Sequence, residues 1–222
     1  MKSTLSARTL RALAVFGLSV PRARSSFALG PEPAARSAAA RSLRALRSNN
    51  WARAILLAGP SGAGKSTAMR LVARALRRAR STRKPSRIVT VNPGGLRREC
   101  RPPIDLIGAP LAQALGLLAR AGLSDATLLA RPAKHLSDGQ RWRLALALAL
   151  QRAAIARPPT IILADEFCTG LDLPTAIGVA HCALTRCASR KNVVLLAATS
   201  REDLIDAVRS MPTWLVIDIG SA

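Results

Sequence analysis

A glycine-rich loop near residue 60 constrains the fold of this chain more than any other segment. An apolar run from Ala54 to Ala58 precedes the loop, and a helical pattern from Lys65 follows it. Glycines let successive backbone N–H groups converge on phosphate oxygens, and a helix N-terminus adds a favourable dipole. A strand, this loop and a helix in that order predict a phosphate-binding site. The loop reads Gly59-Pro60-Ser61-Gly62-Ala63-Gly64-Lys65-Ser66-Thr67.

Apolar runs alternate with helical stretches from residue 54 onward. This alternation is typical of an α/β fold, in which helices flank a mostly parallel sheet. The predicted strands are Ala54 to Ala58, Ile88 to Val91, Thr160 to Ala164, Val193 to Ala198 and Trp214 to Ile219. The predicted helices include residues 65–80, 141–153 and 201–209, and the Leu/Ala-rich second of these is expected to be buried nearly all round.

Length and composition favour one large domain preceded by a basic lead-in. We place the domain at residues 50–222, with a small helical insertion at about 103–140, because 222 residues suit one large unit. Residues 1–49 are rich in Arg, Ser and Ala and predict a loosely ordered lead-in or a small sheet, with a helical run from Ala34 to Arg47. A removed organellar address is the less favoured alternative for this segment.

Two adjacent acids, Asp165 and Glu166, follow the predicted strand that ends at Ala164. A carboxylate buried without a compensating charge is unfavourable by several kcal/mol, so we expect a cation beside them. We predict that Asp165 and the Ser66 hydroxyl hold Mg²⁺, that Lys65 contacts the β and γ phosphates, and that Glu166 orients and deprotonates the attacking water. The alternative is that the two acids only cap the next segment.

The segment Leu136-Ser137-Asp138-Gly139-Gln140, called the signature segment below, stands just before the predicted buried helix. Ser-x-x-Gln at that position predicts a capping box, in which Ser137 and Gln140 satisfy orphan N–H groups. The same arrangement aims a helix N-terminus and the Ser137 hydroxyl outward, where both suit a γ-phosphate. We predict that both roles hold.

Taken in order, three segments resemble the Walker A, signature and Walker B motifs of the ATP-binding cassette (ABC) ATPases. They are Gly59–Thr67, Leu136–Gln140 and Ile161–Glu166, and the resemblance covers about residues 50–219. It implies a P-loop NTPase fold of ABC type with ATP as ligand and substrate. It also implies a homodimer in which Ser137, Gly139 and Gln140 of one copy complete the ATP site of the other, with Asp172 at the D-loop that touches the partner.

A narrower resemblance concerns the residues around these motifs. The stretches LSDGQRWRLALAL, ADEFCTGLDLPTA and AATSREDL are similar to soluble ABC ATPases that are fused or related to acetyltransferase-like proteins. The chain departs from the wider family at several positions. Ser200 replaces the usual switch histidine, and it either contacts the γ-phosphate or caps the following helix. Gln113 lies in a predicted helix, so Asp105 is nearer the expected Q-loop position, and Phe16, Phe27 or Trp51 would have to stack on adenine.

Charge and cysteine content bear on partners and location. Residues 1–102 hold 22 Lys and Arg and 2 acids, so the basic character lies in this half. Solvated surface arginine explains it best, and Arg70, Arg74, Arg77 and Arg78, on one side of the predicted helix 65–80, are the alternative polyanion site. Four cysteines without CxxC pairing predict reduced thiols in a cytoplasmic protein.

Three functions remain open at this point. The first is a soluble, dimerising ABC ATPase that acts on a protein or nucleic-acid partner. The second is the ATP-binding subunit of a membrane transporter, although the chain has no run of about 18 apolar residues that would span a bilayer. The third is an ATP-regulated nucleic-acid-binding module.

Overall fold

The computed structural model describes residues 33–47, 54–78, 87–156, 159–190, 192–211 and 213–220. Its helices are α1 (Pro33–Arg47), α2 (Lys65–Arg78), α3 (Pro103–Leu106), α4 (Leu111–Arg120), α5 (Ala126–Ala130), α6 (Asp138–Ala154), α7 (Leu173–Ala188) and α8 (Glu202–Arg209). Its strands are β1 (Ala54–Ala58), β2 (Arg87–Thr90), β3 (Thr160–Ala164), β4 (Val193–Thr199) and β5 (Trp214–Asp218). Short 3-10 turns occupy Pro93–Leu96 and Ala133–His135.

The five strands form one parallel sheet in the order β2-β3-β4-β1-β5. Ala58 at the end of β1 pairs with Thr199 at the end of β4, and Ala164 at the end of β3 pairs with Ala197. The carboxyl ends of β1, β3 and β4 therefore lie side by side. The predicted α/β class and all five predicted strands are confirmed.

Both faces of the sheet are covered, which explains why its inner strands β1, β3 and β4 are buried along their whole length, whereas the edge strands β2 and β5 have exposed residues. Along β1, Leu56 packs into one buried cluster with α6 and α7, whereas Ile55 and Leu57 pack into a second cluster with α1 and α2. Because successive side chains of a strand point to opposite faces, a strand between two helical layers has no solvent-facing position. All five residues of β1 are buried.

The Leu/Ala-rich segment forms α6, as predicted. A strand-like alternation of leucines runs through residues 144–150, yet every residue of that stretch is buried on a helix. Leucine and alanine are both strong helix formers, and the helix is enclosed by the sheet and its neighbours. The preceding short helices α3, α4 and α5 lie within residues 103–140, and the assignment of this stretch as an insertion stays a prediction.

Helix α1 belongs to the same packed unit as the sheet. Ala35, Ala38, Ala39 and Leu46 are buried with residues of α2 and β1. The remaining residues of the predicted lead-in, and with them Phe16, Phe27 and Trp51, lie outside the described residues, so the domain boundary at residue 50 stays a prediction. Across the described part of the chain, no helix combines the length and the apolar character needed to cross a membrane.

Candidate functional site

A cleft of about 230 Å³ opens where the carboxyl ends of β1, β3 and β4 meet. In parallel α/β sheets this is the edge at which ligands bind. The cleft brings together residues from three separate sequence segments, which the sheet order makes neighbours. Its lining consists of Ser61, Gly62, Gly64, Lys65, Ser66, Thr67, Asp165, Glu166, Ala198, Thr199 and Ser200.

Gly59 sets the path by which the phosphate-binding loop leaves β1. Its φ is 152°, and a Cβ at this position would lie 2.2 Å from the Ile219 carbonyl oxygen. The N–H of Ile219 in turn donates to the Ala58 carbonyl at 2.8 Å. The end of β5 therefore packs directly on the loop, and only glycine fits there. Gly59, Pro60 and Ala63 shape the loop without lining the cleft.

Lys65 is held at the floor of the phosphate-binding loop. Its Nζ donates to the carbonyl oxygens of Gly59 at 2.7 Å and of Pro60 at 2.6 Å. Partial burial lowers the pKa of Lys65, and the negative charge of Asp165 acts in the opposite direction. The loop thus orients the lysine, and its ammonium feels the charge of Asp165, which directly follows β3.

Asp165 and Glu166 both line the cleft, but their side chains are exposed. The expected burial of the two acids is therefore wrong and does not by itself require a cation, because the strand is buried only as far as Ala164. The donor set itself still fits Mg²⁺, since the Ser66 hydroxyl and the Asp165 carboxylate are oxygen ligands in one cleft. Glu166 has a φ of 49°, in the left-handed region, and its N–H donates to Asp165 Oδ1 at 3.1 Å.

Ser200 lines the same cleft, one residue beyond the end of β4. The alternative role that we considered, capping of the next helix, is wrong. Helix α8 begins at Glu202 with Arg201 as its N-cap residue, and no side chain caps it. Asp203 instead pairs with Arg201 at 2.6 Å. Ser200 therefore contributes to the lining of the cleft and does not cap a helix.

The signature segment forms the predicted capping box at the start of α6. Ser137 Oγ accepts from the Gln140 N–H at 3.2 Å, and Gln140 Oε1 accepts from the Ser137 N–H at 2.9 Å. The segment does not reach the cleft of its own phosphate-binding loop. Gly139 and Asp138 instead line a second cleft of about 480 Å³, and Glu166 lines both clefts.

Asp172 stands at the start of α7 and is exposed. Its carboxylate caps the helix by accepting from the Thr175 N–H at 2.9 Å. This hydrogen bond and a second one from the Thr175 side chain lower the pKa of Asp172. Asp172 therefore has a local structural role in addition to the contact with a partner cassette that the family resemblance implies.

One residue at this edge of the sheet was not predicted from the sequence. Asn92 follows β2 by two residues, and β2 pairs with β3 at Thr90 and Leu163, so Asn92 lies at the same sheet edge as Asp165. Its side-chain oxygen accepts from the Gly95 N–H at 3.2 Å. Its position directly after the predicted strand Ile88 to Val91 could have indicated that Asn92 lies at this edge. Gln113 on α4 and Asp105 on α3 are both exposed and line neither cleft.

Phe167 directly follows the two acids, and its role is in packing. It is fully buried between Trp142 of α6, at a centroid distance of 5.5 Å, and Trp214 of β5, at 5.8 Å. Edge-on and tilted aromatic contacts of this kind stabilise a core beyond their buried area. Phe167, which directly follows Glu166, thus anchors this part of the chain to two distant parts of the fold.

A parallel sheet with a glycine-rich loop, a lysine and two acids at its carboxyl edge defines a P-loop nucleotide-binding protein. The family model described as ABC transporter matches residues 50–169, more than half of the chain. The chain therefore belongs to the ABC transporter family and is an ATP-hydrolysing cassette of that family. A comparison with curated protein sequences gives no significant match.

Solved structures of ATP-binding cassettes are similar to the chain in fold. One is cbiO1 from Clostridium perfringens, part of the transporter complex cbiONQ, with 18% identity over 69% of each chain and a TM-score of 0.45. A second is MJ1267 in its ADP conformation, with 18% identity over 76% of this chain and 78% of that chain and a TM-score of 0.46. A third is a dimeric, post-hydrolysis form of MJ0796 bound to ADP and Pi, with 20% identity, 77% and 84% coverage and a TM-score of 0.49. Sequence identities of 18% and 20% with TM-scores below 0.5 support no statement about the function of this chain.

Proposed function

We propose that the chain hydrolyses ATP as a homodimer, with each nucleotide between the phosphate-binding loop of one copy and the signature segment of the other. One observation carries this proposal. Within a single chain, Gly139 and Asp138 line a different cleft from Lys65 and Ser66. Helix α6 therefore presents its capped N-terminus away from its own loop, where a second copy can use it.

The residues of the cleft have separate roles in hydrolysis. Lys65 and the loop N–H groups hold the β and γ phosphates, and Ser200 reaches the γ-phosphate from the end of β4. Ser66 and Asp165 are the residues that hold Mg²⁺, which when bound neutralises charge on the phosphate oxygens. Glu166 orients the attacking water and takes its proton. Asp172 contacts the partner copy next to the shared nucleotide.

The substitution Glu166→Gln tests this proposal. We expect the variant to bind ATP, to lose hydrolysis by at least about a hundredfold, as removal of a general base does, and to accumulate as an ATP-dependent dimer in light scattering. The matched control is Glu202→Gln, which makes the same change at an exposed position that lines neither cleft. Unchanged hydrolysis in Glu166→Gln would rule out the role of Glu166, and a monomer at saturating ATP would rule out the dimer.

A second candidate function, nucleic-acid binding, is favoured by a basic groove of about 770 Å³ along α2. The groove has an apolar floor that includes Met69, Ala73 and Leu163, and it extends to Ser66 and Asp165 at the phosphate site. Its wall carries the four exposed arginines Arg70, Arg74, Arg77 and Arg78. Among the described residues, no carboxylate forms a salt bridge with any of these four.

Salt-dependent binding of a single-stranded oligonucleotide tests the groove. Four phosphate contacts predict that the logarithm of the affinity falls with the logarithm of salt with a slope of about −3. The double reversal Arg74→Glu and Arg78→Glu should abolish most of this slope. The control reverses Arg131 and Arg152, which are exposed outside the groove. Binding that ignores salt, or that both double variants weaken equally, excludes the groove.

Finer assignments belong to the same proposal. The stretches around the motifs support a relation to the soluble cassettes that are fused or related to acetyltransferase-like proteins, and free thiols at all four cysteines support a cytoplasmic location. Service as the ATP-binding subunit of a membrane transporter is the competing assignment. Recovery of the native protein from cells in a stable complex with a membrane permease would favour that assignment over ours.

A further inference from the structure

We propose that Arg201 is a positioning residue for ATP hydrolysis, which ties the loop after β4 to the turn that follows the two acids. We call residues 165–171 the acid turn. Arg201 directly follows Ser200 in sequence, but its side chain reaches back to the acid turn, about thirty residues earlier. This inference rests on the ATPase activity and on the role proposed for Glu166.

The guanidinium of Arg201 donates hydrogen bonds to two separate groups, the carbonyls of the acid turn and the carboxylate of Asp203. Its Nη1 donates to the carbonyl oxygen of Cys168 at 3.0 Å and also to that of Leu171. Its Nε and Nη2 donate to the two carboxylate oxygens of Asp203, at 3.0 and 2.6 Å. Asp203 therefore fixes the plane of the guanidinium, and the remaining nitrogen is aimed at the acid turn.

The acid turn needs such support because it contains no helix or strand. Glu166 and Cys168 both have positive φ values, 49° and 58°, which side-chain-bearing residues rarely adopt. At its start, the Phe167 N–H donates to the Ala198 carbonyl at 2.7 Å. Further along, the charge-assisted bonds from Arg201 hold the carbonyls of Cys168 and Leu171. The two attachments enclose the turn from both ends.

This geometry joins the phosphate-sensing side of the cleft to its hydrolytic side. Ser200 and Glu166 line the same cleft, and Arg201 links the backbone next to the first with the turn that carries the second. We call the bonds from Arg201 to the carbonyls of Cys168 and Leu171 the clamp. Asp172 follows Leu171 directly, so the clamp also positions the residue proposed to touch the partner copy. Loss of the clamp is therefore expected to misplace Glu166 and to leave the phosphate-binding loop intact.

The test compares Arg201→Lys with Arg209→Lys. Lysine keeps the positive charge, but its three N–H donors share one nitrogen, so it cannot reproduce the planar fork that binds both Asp203 oxygens and the two carbonyls. Arg209 is the last residue of α8, the helix that Arg201 precedes, and it pairs with Asp218 at 2.6 Å. The control therefore makes the same change in an ion pair of the same length away from both clefts. For each variant, kcat, KM, nucleotide Kd, Tm and amide hydrogen exchange are measured.

For Arg201→Lys we expect kcat to fall at least about tenfold, with KM and nucleotide Kd within twofold of the native values. Exchange should accelerate at the amides of Thr169 and Leu171, which the acid turn protects through its own carbonyls. Arg209→Lys should match the native protein in all of these. A kcat within twofold of native in Arg201→Lys overturns the proposal. So does a loss of kcat that accompanies weaker nucleotide binding or faster exchange throughout the chain.

Failure of the proposal is distinguishable from failure of the proposed function. If the native protein itself does not hydrolyse ATP, the proposed function fails, and the exchange measurement decides the clamp alone. Faster exchange confined to Thr169 and Leu171 in Arg201→Lys then supports the clamp. Unchanged exchange at these two amides rules it out.

Discussion

Lys65 Nζ lies 2.7 Å from the carbonyl oxygen of Gly59, so the lysine at the start of α2 folds back onto the first residue of the phosphate-binding loop. The loop thereby closes around its own cation. The pKa of Lys65 is lowered, because its partial burial outweighs the opposite effect of the Asp165 charge. The contact joins the Lys65 side chain to the Gly59 backbone, so substitutions at the two positions test different features of the loop.

Replacement of Lys65 by methionine should remove most nucleotide affinity and hydrolysis while leaving the fold intact. Methionine is also long and unbranched, but it loses a charge-assisted contact of about 1.5–3 kcal/mol, which corresponds to roughly a tenfold to hundredfold weaker binding. Binding of a fluorescent ATP analogue measures this. Lys134→Met, at an exposed position outside the cleft, is the control and should bind as the native protein does. Equal affinities in the two variants would contradict the role of Lys65.

Gly59→Ala should destabilise the protein, because the added Cβ would meet the Ile219 carbonyl oxygen at 2.2 Å. The backbone must shift to relieve that contact, which should lower the free energy of unfolding by about 1–3 kcal/mol. For a chain of this size, each kcal/mol lowers Tm by about 2–4 °C. Thermal unfolding followed by circular dichroism measures the change. Gly116→Ala is the control. It adds a methyl group to open space on α4 and should raise stability by about 0.5–1 kcal/mol. An unchanged Tm in Gly59→Ala would show that β5 does not press on the loop.

Ser137 should show two separable roles. Ser137→Ala removes the cap of α6 and should lower stability by about 1 kcal/mol. Ser137→Asp restores a good cap, so Tm should recover, but its negative charge repels the γ-phosphate of a nucleotide held by the partner. In the Glu166→Gln background, both variants should therefore fail to form the ATP-dependent dimer. A dimer in Ser137→Asp would mean that this serine acts only as a helix cap.

Cys168 should make stability fall at high pH. Burial raises the pKa of its thiol from 9.0 to about 12, so the folded state holds the proton more tightly than the unfolded state. Below about pH 9 both states are protonated and the contribution is constant, whereas between about pH 9 and 12 only the unfolded state loses the proton and stability declines. Urea unfolding at several pH values measures the slope, which Cys168→Ala should reduce and the exposed Cys100→Ala should not. Burial also raises the pKa of Cys182, so part of the slope should remain. A slope that Cys168→Ala leaves unchanged would contradict this prediction.

Features that depend on neighbouring residues were predictable. The strand β3 begins and ends at the predicted residues, and the capping box between Ser137 and Gln140 forms as expected. Both depend on hydrogen bonds or side-chain patterns within a few positions, which any fold must satisfy locally. The same reasoning failed where a local pattern had a distant competitor. Ser200 and Asp203 look like a helix cap, but Arg201 takes the Asp203 carboxylate.

The sequence by itself determined the phosphate-binding loop, the α/β class and the residues that can carry ATP chemistry. Only the tertiary structure decided which of them meet. The order β2-β3-β4-β1-β5 places Glu166 beside Lys65 and Ser200 and turns Gly139 into a different cleft. It also brings Arg201 onto the carbonyl of Cys168. Contacts across thirty or a hundred residues follow from how strands pair and helices pack, and no local hydrogen bond or periodicity records that choice.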